Sequence, residues 1–387
     1  MKYKPVIVVV AYNRPGSLER IFFSLKKLKN ISSTKLIISI DNKAPENYSV
    51  RDIALAFEWP FGEKEVIYNE KRLGLRNHVL QCGDLSIKYG SVIILEDDLF
   101  VSPYMYEYAV QALEYYGNDD KIGGISLYNP TLEEITQMPF SPINDDSDVY
   151  FMQFPSSLGQ AWTKKHWELF REWLPKNQDI SNVLIHKHII NWPKTSWKKY
   201  FTAYLAAGDK YFVFPRISLT TNFNDPGTHE IRNINFNWQA HLRIEHDNYR
   251  FKMLSTSHCI YDSYYEILPS TIKHYSSKLK DYDFEIDLYG RKDLKKISKP
   301  LVITSRPVKN AIWSYKRALK PHEMNIIFEL EGNDLFFGKK EDVLSVKSNI
   351  KRELSDHKYF FSSIMIGKKA FLYEYLSKYK LFSLFFK

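Results

Sequence analysis

The sequence predicts an α/β protein whose N-terminal third is an open, mostly parallel sheet with helices on both faces. Three observations carry this. Mostly β-branched apolar runs recur at residues 6–10, 36–40 and 92–95, the first of them continuous, and runs without polar alternation suit strands covered on both faces. Apolar residues at helical spacing fall between them. Each run closes on polar residues: Asn13 after the first, Asp41 after the second, and Glu96-Asp97-Asp98 after the third.

Each element follows in order. Val6-Ile7-Val8-Val9-Val10 is the first strand, ended by the turn-rich Tyr12-Asn13-Arg14-Pro15-Gly16. Leu18, Ile21, Phe22, Leu25 and Leu28 form a helix stripe, with Ser17 placed to cap its start. Residues 36–40 give a second strand, completing a right-handed βαβ unit. Val66-Ile67-Tyr68 is a shorter strand, residues 75–89 a helix, and residues 92–95 the strand that leads into the acidic triplet. Ser102-Pro103 opens a further helix and Gly117 stops it. In open sheets of this kind ligands bind beyond the carboxyl ends of the strands, where Asn13, Asp41 and the triplet all fall.

Past residue 125 the signal changes. Residues 126–230 are rich in Trp, Pro and polar loops, and 133–148 reads as a long mobile connection. Residues 231–387 form a smaller mixed α/β extension, with short strands expected at 284–288, 301–303 and 326–328. The expected domains are therefore 1–230, in halves 1–125 and 126–230, and 231–387.

Composition bounds the function. Of 387 residues 44% are apolar, enough for a sizeable core and against global disorder. The aromatic share, 16%, suits cores and the stacking floors of sugar and base sites. The net charge of +9 attracts anionic partners, but the basic residues are dispersed, which argues against a nucleic-acid surface. Cys82 and Cys259 match no metal or disulfide pattern and suit a reduced, cytoplasmic setting. The run at 6–10 is far too short for a signal peptide or a membrane span. Residues 370–387 mix Phe, Tyr, Leu and Lys. They read either as an amphipathic helix on the inner face of an anionic membrane or as a terminal helix docked on the core.

The triplet carries a cost. Carboxylates beside an apolar strand are unfavourable without a cation or donors. Mg²⁺ or Mn²⁺ meets that need, since these ions take one or two carboxylates and complete their shells with substrate phosphates. The alternative is a solvated acidic turn ahead of a helix.

Taken together the segments resemble the GT-A glycosyltransferases, in particular family 2-like bacterial enzymes and N-acetylglucosaminyltransferase I. The pieces are Val8-Val9-Val10-Ala11-Tyr12-Asn13-Arg14-Pro15, Ser39-Ile40-Asp41-Asn42, the stretch from Asn69 through Gly74 and Arg76 to Asn77, and Ile93-Ile94-Leu95-Glu96-Asp97-Asp98-Leu99. Leu158-Gly159-Gln160-Ala161-Trp162, Leu219-Thr220-Thr221-Asn222-Phe223 and Gly227-Thr228-His229 follow. Their order over residues 5–230 is what is specific.

The resemblance implies a hexosyl transfer from a nucleotide-diphosphate sugar, UDP-linked by family habit, to a glycan or lipid-linked glycan, as in bacterial surface polysaccharide synthesis. Residues 1–125 would hold the nucleotide and 126–230 the acceptor. Ala11, Tyr12 and Arg14 would line the nucleotide pocket, and Asp41 would bond base or ribose; its plain alternative is a turn carboxylate capping local backbone. Gly74 and Arg76 would approach the nucleotide, or merely start a helix. Asp98 would ligate the metal, Asp97 would touch ribose or a metal-bound water, and Glu96 would support both. His229 would close on the metal or a phosphate, or stay exposed. Trp162 would offer a face to a sugar ring, or sit in the core.

One departure stands out. Relatives carry a Trp followed by an Asp general base in the segment matching Ser196-Trp197-Lys198; here Lys198 holds that place, and an ammonium is no base unless its pKa falls far. Asp145, Asp146, Asp148 or Asp225 could serve, or the enzyme could be retaining or inactive. Two alternatives therefore accompany the transferase: a catalytically impaired sugar- or nucleotide-binding protein, and a sugar nucleotidyltransferase, disfavoured because the first turn holds one glycine instead of a Gly-rich loop.

Overall fold

A computed structural model describes residues 2–31, 33–136, 138–223, 225, 238–245, 248–344 and 358–359. The chain divides into two units: one of residues 1–131, 142–271 and 291–298, the other of 132–141, 272–290 and 299–387. The division thus falls near 271 and not at 230, because β11 (Ile260–Tyr261) pairs into the sheet of the first unit.

Among the described residues the first unit is built on a nine-stranded sheet. β1 (Val6–Ala11), β2 (Leu36–Ile40), β3 (Lys64–Tyr68) and β4 (Ser91–Glu96) pair in parallel, in the order β3-β2-β1-β4. Helices α1 (Pro15–Leu25), α2 (Tyr48–Ala56) and α3 (Gly74–Tyr89) connect them. β1 and β2 are buried at every position, which is why their sequences do not alternate. The short β5 (Leu99–Val101) follows, then α4 (Met105–Tyr116) and β6 (Ile122–Ser126).

β7 (Val149–Met152), β8 (Gln160–Thr163) and β9 (Tyr211–Pro215) complete the sheet with β11, in the order β11-β7-β9-β6-β8-β4. Helices α5 (Lys164–Trp173), α6 (Lys187–Ile190) and α7 (Trp197–Ala207) lie between β8 and β9 in the chain. β8 runs antiparallel to both β4 and β6, and β7 antiparallel to β9; the other pairs are parallel. The fold is the open, mostly parallel α/β sheet expected. β10 (Thr220–Asn222) pairs with β5 outside it, aligning Asn222 with Leu99.

Several local expectations are corrected. Ser17 does not cap α1: Arg14 holds the cap position, with proline in the first turn, where its missing N–H is harmless. α4 begins at Met105, and Gly117 closes it, its N–H reaching the Leu113 carbonyl at 2.8 Å. The 133–148 connection is tied down by a Leu132–Pro139 bridge and by the buried Asp145.

Helix α8 (Pro269–Tyr275) runs across the division. The second unit carries a four-stranded sheet of β12 (Phe284–Asp287), β13 (Leu301–Thr304), β14 (Trp313–Tyr315) and β15 (Leu335–Lys339), in the order β12-β13-β15-β14. The strands expected near 284 and 301 are present. The strand expected at 326–328 is not: α9 (Met324–Ile327) occupies it, with the Ile326 and Ile327 N–H groups turning back to the Glu323 carbonyl. The tail at 370–387 lies outside the described residues. No helix among the described residues is long and apolar enough to cross a membrane.

Candidate functional site

The parallel strands β1 to β4 end on one edge, and their connecting loops are bolted together there. The Asp41 carboxylate, buried just past β2, accepts N–H bonds from Leu73 at 2.7 Å, Gly74 at 2.9 Å and Asn42 at 2.9 Å. It thereby neutralises the open N–H groups that begin α3. Gly74 adopts φ +74°, where a side chain would be strained. Asn47 donates to the carbonyls of Tyr12 at 2.7 Å and Asp41 at 2.8 Å, and accepts from the Tyr68 hydroxyl at 2.8 Å. One amide side chain so joins the ends of β1, β2 and β3.

The acidic triplet ends β4 on the same edge. Arg14 donates from one nitrogen to Asp98 at 2.7 Å and from another to Asp97. Each carboxylate keeps one buried oxygen, Oδ2 of Asp97 and Oδ1 of Asp98, with no hydrogen-bond partner among the described residues. Asp97 is 2% exposed and Asp98 8%. Buried carboxylate oxygens are normally satisfied, so this pair of open lone pairs is chemically unfinished.

The electrostatics agree. Burial pushes the Asp97 carboxyl up to about 6, against the pull of Arg14. Burial, reinforced by the charge of Asp98, pushes Glu96 up to about 8, with Arg14 and Lys198 opposing. Burial would lower Arg14, but its two carboxylate partners outweigh that and raise it. Lys198, on the first turn of α7, therefore lies within electrostatic reach of the triplet.

A second cation stands beside the first. Arg20, in the second turn of α1, pairs with Asp225, lies over the Phe223 ring at 4.1 Å, and feels the charges of Asp98, Arg14 and Asp97. The Asp225 carboxylate also accepts from Ser17 at 2.6 Å. The Phe223 N–H meets the Asp98 carbonyl at 3.4 Å. The β5–β10 pair thus lays Asn222, Phe223 and Asp225 alongside the triplet.

Other candidates are placed differently. Ala11 is 1% exposed and its side chain lies in the core; only its carbonyl serves the edge, accepting the Asp41 N–H at 3.0 Å. Tyr12 is partly exposed, its ring under Arg72 at 5.3 Å and Lys43 at 5.8 Å. Arg76 donates to the Lys194 carbonyl at 2.8 Å and lies over the Tyr200 ring at 4.4 Å, bracing α3 against the start of α7. Trp162 offers no face to a sugar. It is 0% exposed, with ring centroids of Trp167 and Phe201 4.7 and 5.8 Å away, because β8 points it into an aromatic core.

The expected bases fare unevenly. Asp145 is buried and accepts from Ser147 at 2.7 Å, Ser257 at 2.8 Å and Arg216 at 3.0 Å. Burial works to raise its pKa, but these donors overcome it and hold the pKa below the usual value, so it is a structural anchor. Asp146 is exposed beside Arg250 at 2.6 Å, and Arg250 also donates its N–H to Asp148 at 2.8 Å. All three precede β7, four strands from β4, about 19 Å at the usual strand spacing. Asp225 alone adjoins the triplet. His229 lies outside the described residues.

Sequence reasoning missed Asn47 and Arg20. Asn47 gave no signal beyond that of a turn residue. Arg20 did: it lies one helical turn from Ser17, so both face the same way.

As a cation site the edge is incomplete by itself. No group of three or more His, Cys, Asp or Glu ligands occurs among the described residues. The two open oxygens of Asp97 and Asp98 fit an ion that completes its shell with phosphates and water.

No family profile matches the sequence, and no curated protein does. Similar solved structures include a Pyrobaculum calidifontis mannosyltransferase in complex with GDP-Man and Mn²⁺ (14% identity, TM-score 0.31, 44% of this chain and 47% of that one). A second is S. aureus TarS 1–349 in complex with UDP (9%, 0.36, 56% and 60%). A third is a Leptospira borgpetersenii cytidylyltransferase (13%, 0.29, 44% and 64%). Each alignment spans less than two thirds of the matched protein, and superpositions this loose leave the reading to the site's own geometry.

Proposed function

We propose that this chain is a nucleotide-sugar-dependent glycosyltransferase that moves a hexosyl group from a nucleoside-diphosphate donor, UDP-linked, to a glycan or lipid-linked glycan. The observation that carries the reading is the pair of open, buried oxygens on Asp97 and Asp98 at the carboxyl edge of β4, bridged by Arg14. The segments named above that resemble GT-A enzymes support it.

Asp98 and Asp97 would hold a Mn²⁺ or Mg²⁺ ion, with His229 a further candidate ligand. When bound, such an ion neutralises charge on the departing diphosphate. Arg14, paired with both carboxylates, is placed to turn its fork to a phosphate. The partly exposed Tyr12 ring, with Arg72 and Lys43 over it, suits a base or ribose at the end of β1. Asp41 and Asn47 would keep these loops in register for the nucleotide, and Glu96 would support the ion's ligands. Inversion requires a base on the acceptor side, and Asp225 is the described candidate that adjoins the triplet. Action on the cytoplasmic side of the membrane, in surface polysaccharide synthesis, belongs to the same proposal.

One observation favours a second reading, a donor-binding protein with impaired transfer. Asp225 is engaged by Arg20 and Ser17, and Lys198 holds the position where relatives carry their base.

The test is incubation with Mn²⁺ and a panel of nucleotide sugars. The expected result is slow donor hydrolysis that Asp98→Ala reduces at least about a hundredfold, the scale of removing a principal electrostatic stabiliser. Binding without turnover selects the second reading. No nucleotide binding with or without the ion overturns both.

A further inference from the structure

The first unit concentrates positive charge in two segments. Residues 180–208 contain four lysines, two histidines and no carboxylate. Residues 291–298 contain four basic residues and one acidic. Together these 37 residues carry a net +7 with histidines neutral, against +9 for all 387. Lys292 is matched by Asp262 and by Glu266 at 3.2 Å; no such carboxylate lies in the first segment.

The two segments meet, and they adjoin the acidic edge. The Lys296 ammonium donates to the carbonyls of Ser181 and Val183, the latter at 3.2 Å. Lys198, within reach of Glu96, lies over the Phe154 ring at 4.7 Å, and Phe154 meets Tyr265 at 5.3 Å. The neighbouring Tyr264 packs on His186 at 5.8 Å, and His188 continues to Trp192 at 6.4 Å. The Trp192 carbonyl accepts from Lys199 at 2.8 Å. Burial lowers His186 to about 4, with the charges of Arg291 and His188 adding to it. Lys187, His188 and Lys194 are exposed, and Trp192 is half-exposed.

A basic surface carrying an aromatic ring, and running up to a transfer site, has the chemistry for a phosphate-bearing sugar chain. The lysines meet phosphate oxygens, and the indole meets the C–H face of a sugar. We propose that the 180–208 and 291–298 segments form the acceptor-docking surface, and that the acceptor is an anionic glycan bearing phosphate groups. This rests on the transferase reading and names its acceptor class.

The test uses the full chain and fluorescent dextran phosphate, with unphosphorylated dextran of equal length as reference. The expected result is selective binding of the phosphorylated chain, weakened about tenfold by joint Lys187→Glu and Lys194→Glu substitution. The same charge change at Lys88→Glu and Lys164→Glu, at the opposite end of β4 and β8, shifts affinity by less than about twofold if the surface is local. UDP binding with Mn²⁺ is measured on every variant: its absence in the wild type sinks the transferase reading, whatever the dextran result. Equal binding of the two dextrans overturns the acceptor class. So does equal weakening by both charge reversals. So does binding to phosphatidylglycerol vesicles that dextran phosphate fails to displace, which assigns the surface to a membrane.

Discussion

The Asp41 carboxylate accepts three backbone N–H bonds, two of them at the start of α3, and this decides what its removal does. Asp41→Ala leaves the N–H groups of Leu73 and Gly74 without their acceptor in a partly buried setting. The expected cost is about 1–3 kcal/mol, read as a lower midpoint in urea denaturation without nucleotide. A purely nucleotide-binding Asp41 would leave that midpoint unmoved. Asn47 is the harder case, since its bonds reach loops far apart in sequence and no local pattern announces it. The triplet at 96–98 was legible because charge beside an apolar run is costly. That Arg14 bridges it was not, because pairing across 84 positions leaves no mark on spacing.

At the scale of elements, legibility follows continuity. β1, β2 and β4 are built on apolar runs, broken in β2 only by Ser39, and could be read directly, and α3 begins one residue from its expected start. β5 and β10 are three residues each, too short for a period to register, yet their pairing brings Asn222, Phe223 and Asp225 to the triplet. The apolar Ile326-Ile327-Phe328 imitated a strand; local N–H bonds to the Glu323 carbonyl make it helical. Trp162 shows the same limit, since an indole reads alike as floor or core. Gly124 makes room for it: a Cβ there would meet the Trp162 ring nitrogen at 2.6 Å. Trp162→Ala is therefore expected to destabilise by about 3–5 kcal/mol, measured by denaturant unfolding. An unchanged unfolding midpoint would restore the role of a sugar platform.

For the whole molecule, the buried histidines are an expected source of acid sensitivity. His78 and His166 are buried and held neutral by desolvation, each lowered to about 4. The unfolded chain binds protons at these groups from about 6.5 downward, the folded chain only near 4. Their contribution is thus intact above pH 6.5 and is lost as pH falls through that window, at up to about 1.4 kcal/mol per pH unit for each. Glu96 and Asp97, raised to about 8 and about 6, oppose this because the folded chain binds their protons first, so the histidine contribution is read as a difference. Between pH 7 and 4 the thermal midpoint of His78→Gln should fall less, or rise more, than that of the wild type, and parallel profiles for the two proteins would contradict it.

The guanidinium of Arg14 gives the edge its own resident counter-charge. On the proposed reading an arriving divalent ion would take the two open oxygens while Arg14 holds the other two, and the like charges would repel in a half-buried pocket. A diphosphate entering together with the ion gives the arginine somewhere to go. On the proposed reading the two ligands therefore favour each other's entry, and by reciprocity each strengthens the other's hold. The arginine acts as a latch that neither ligand lifts well alone.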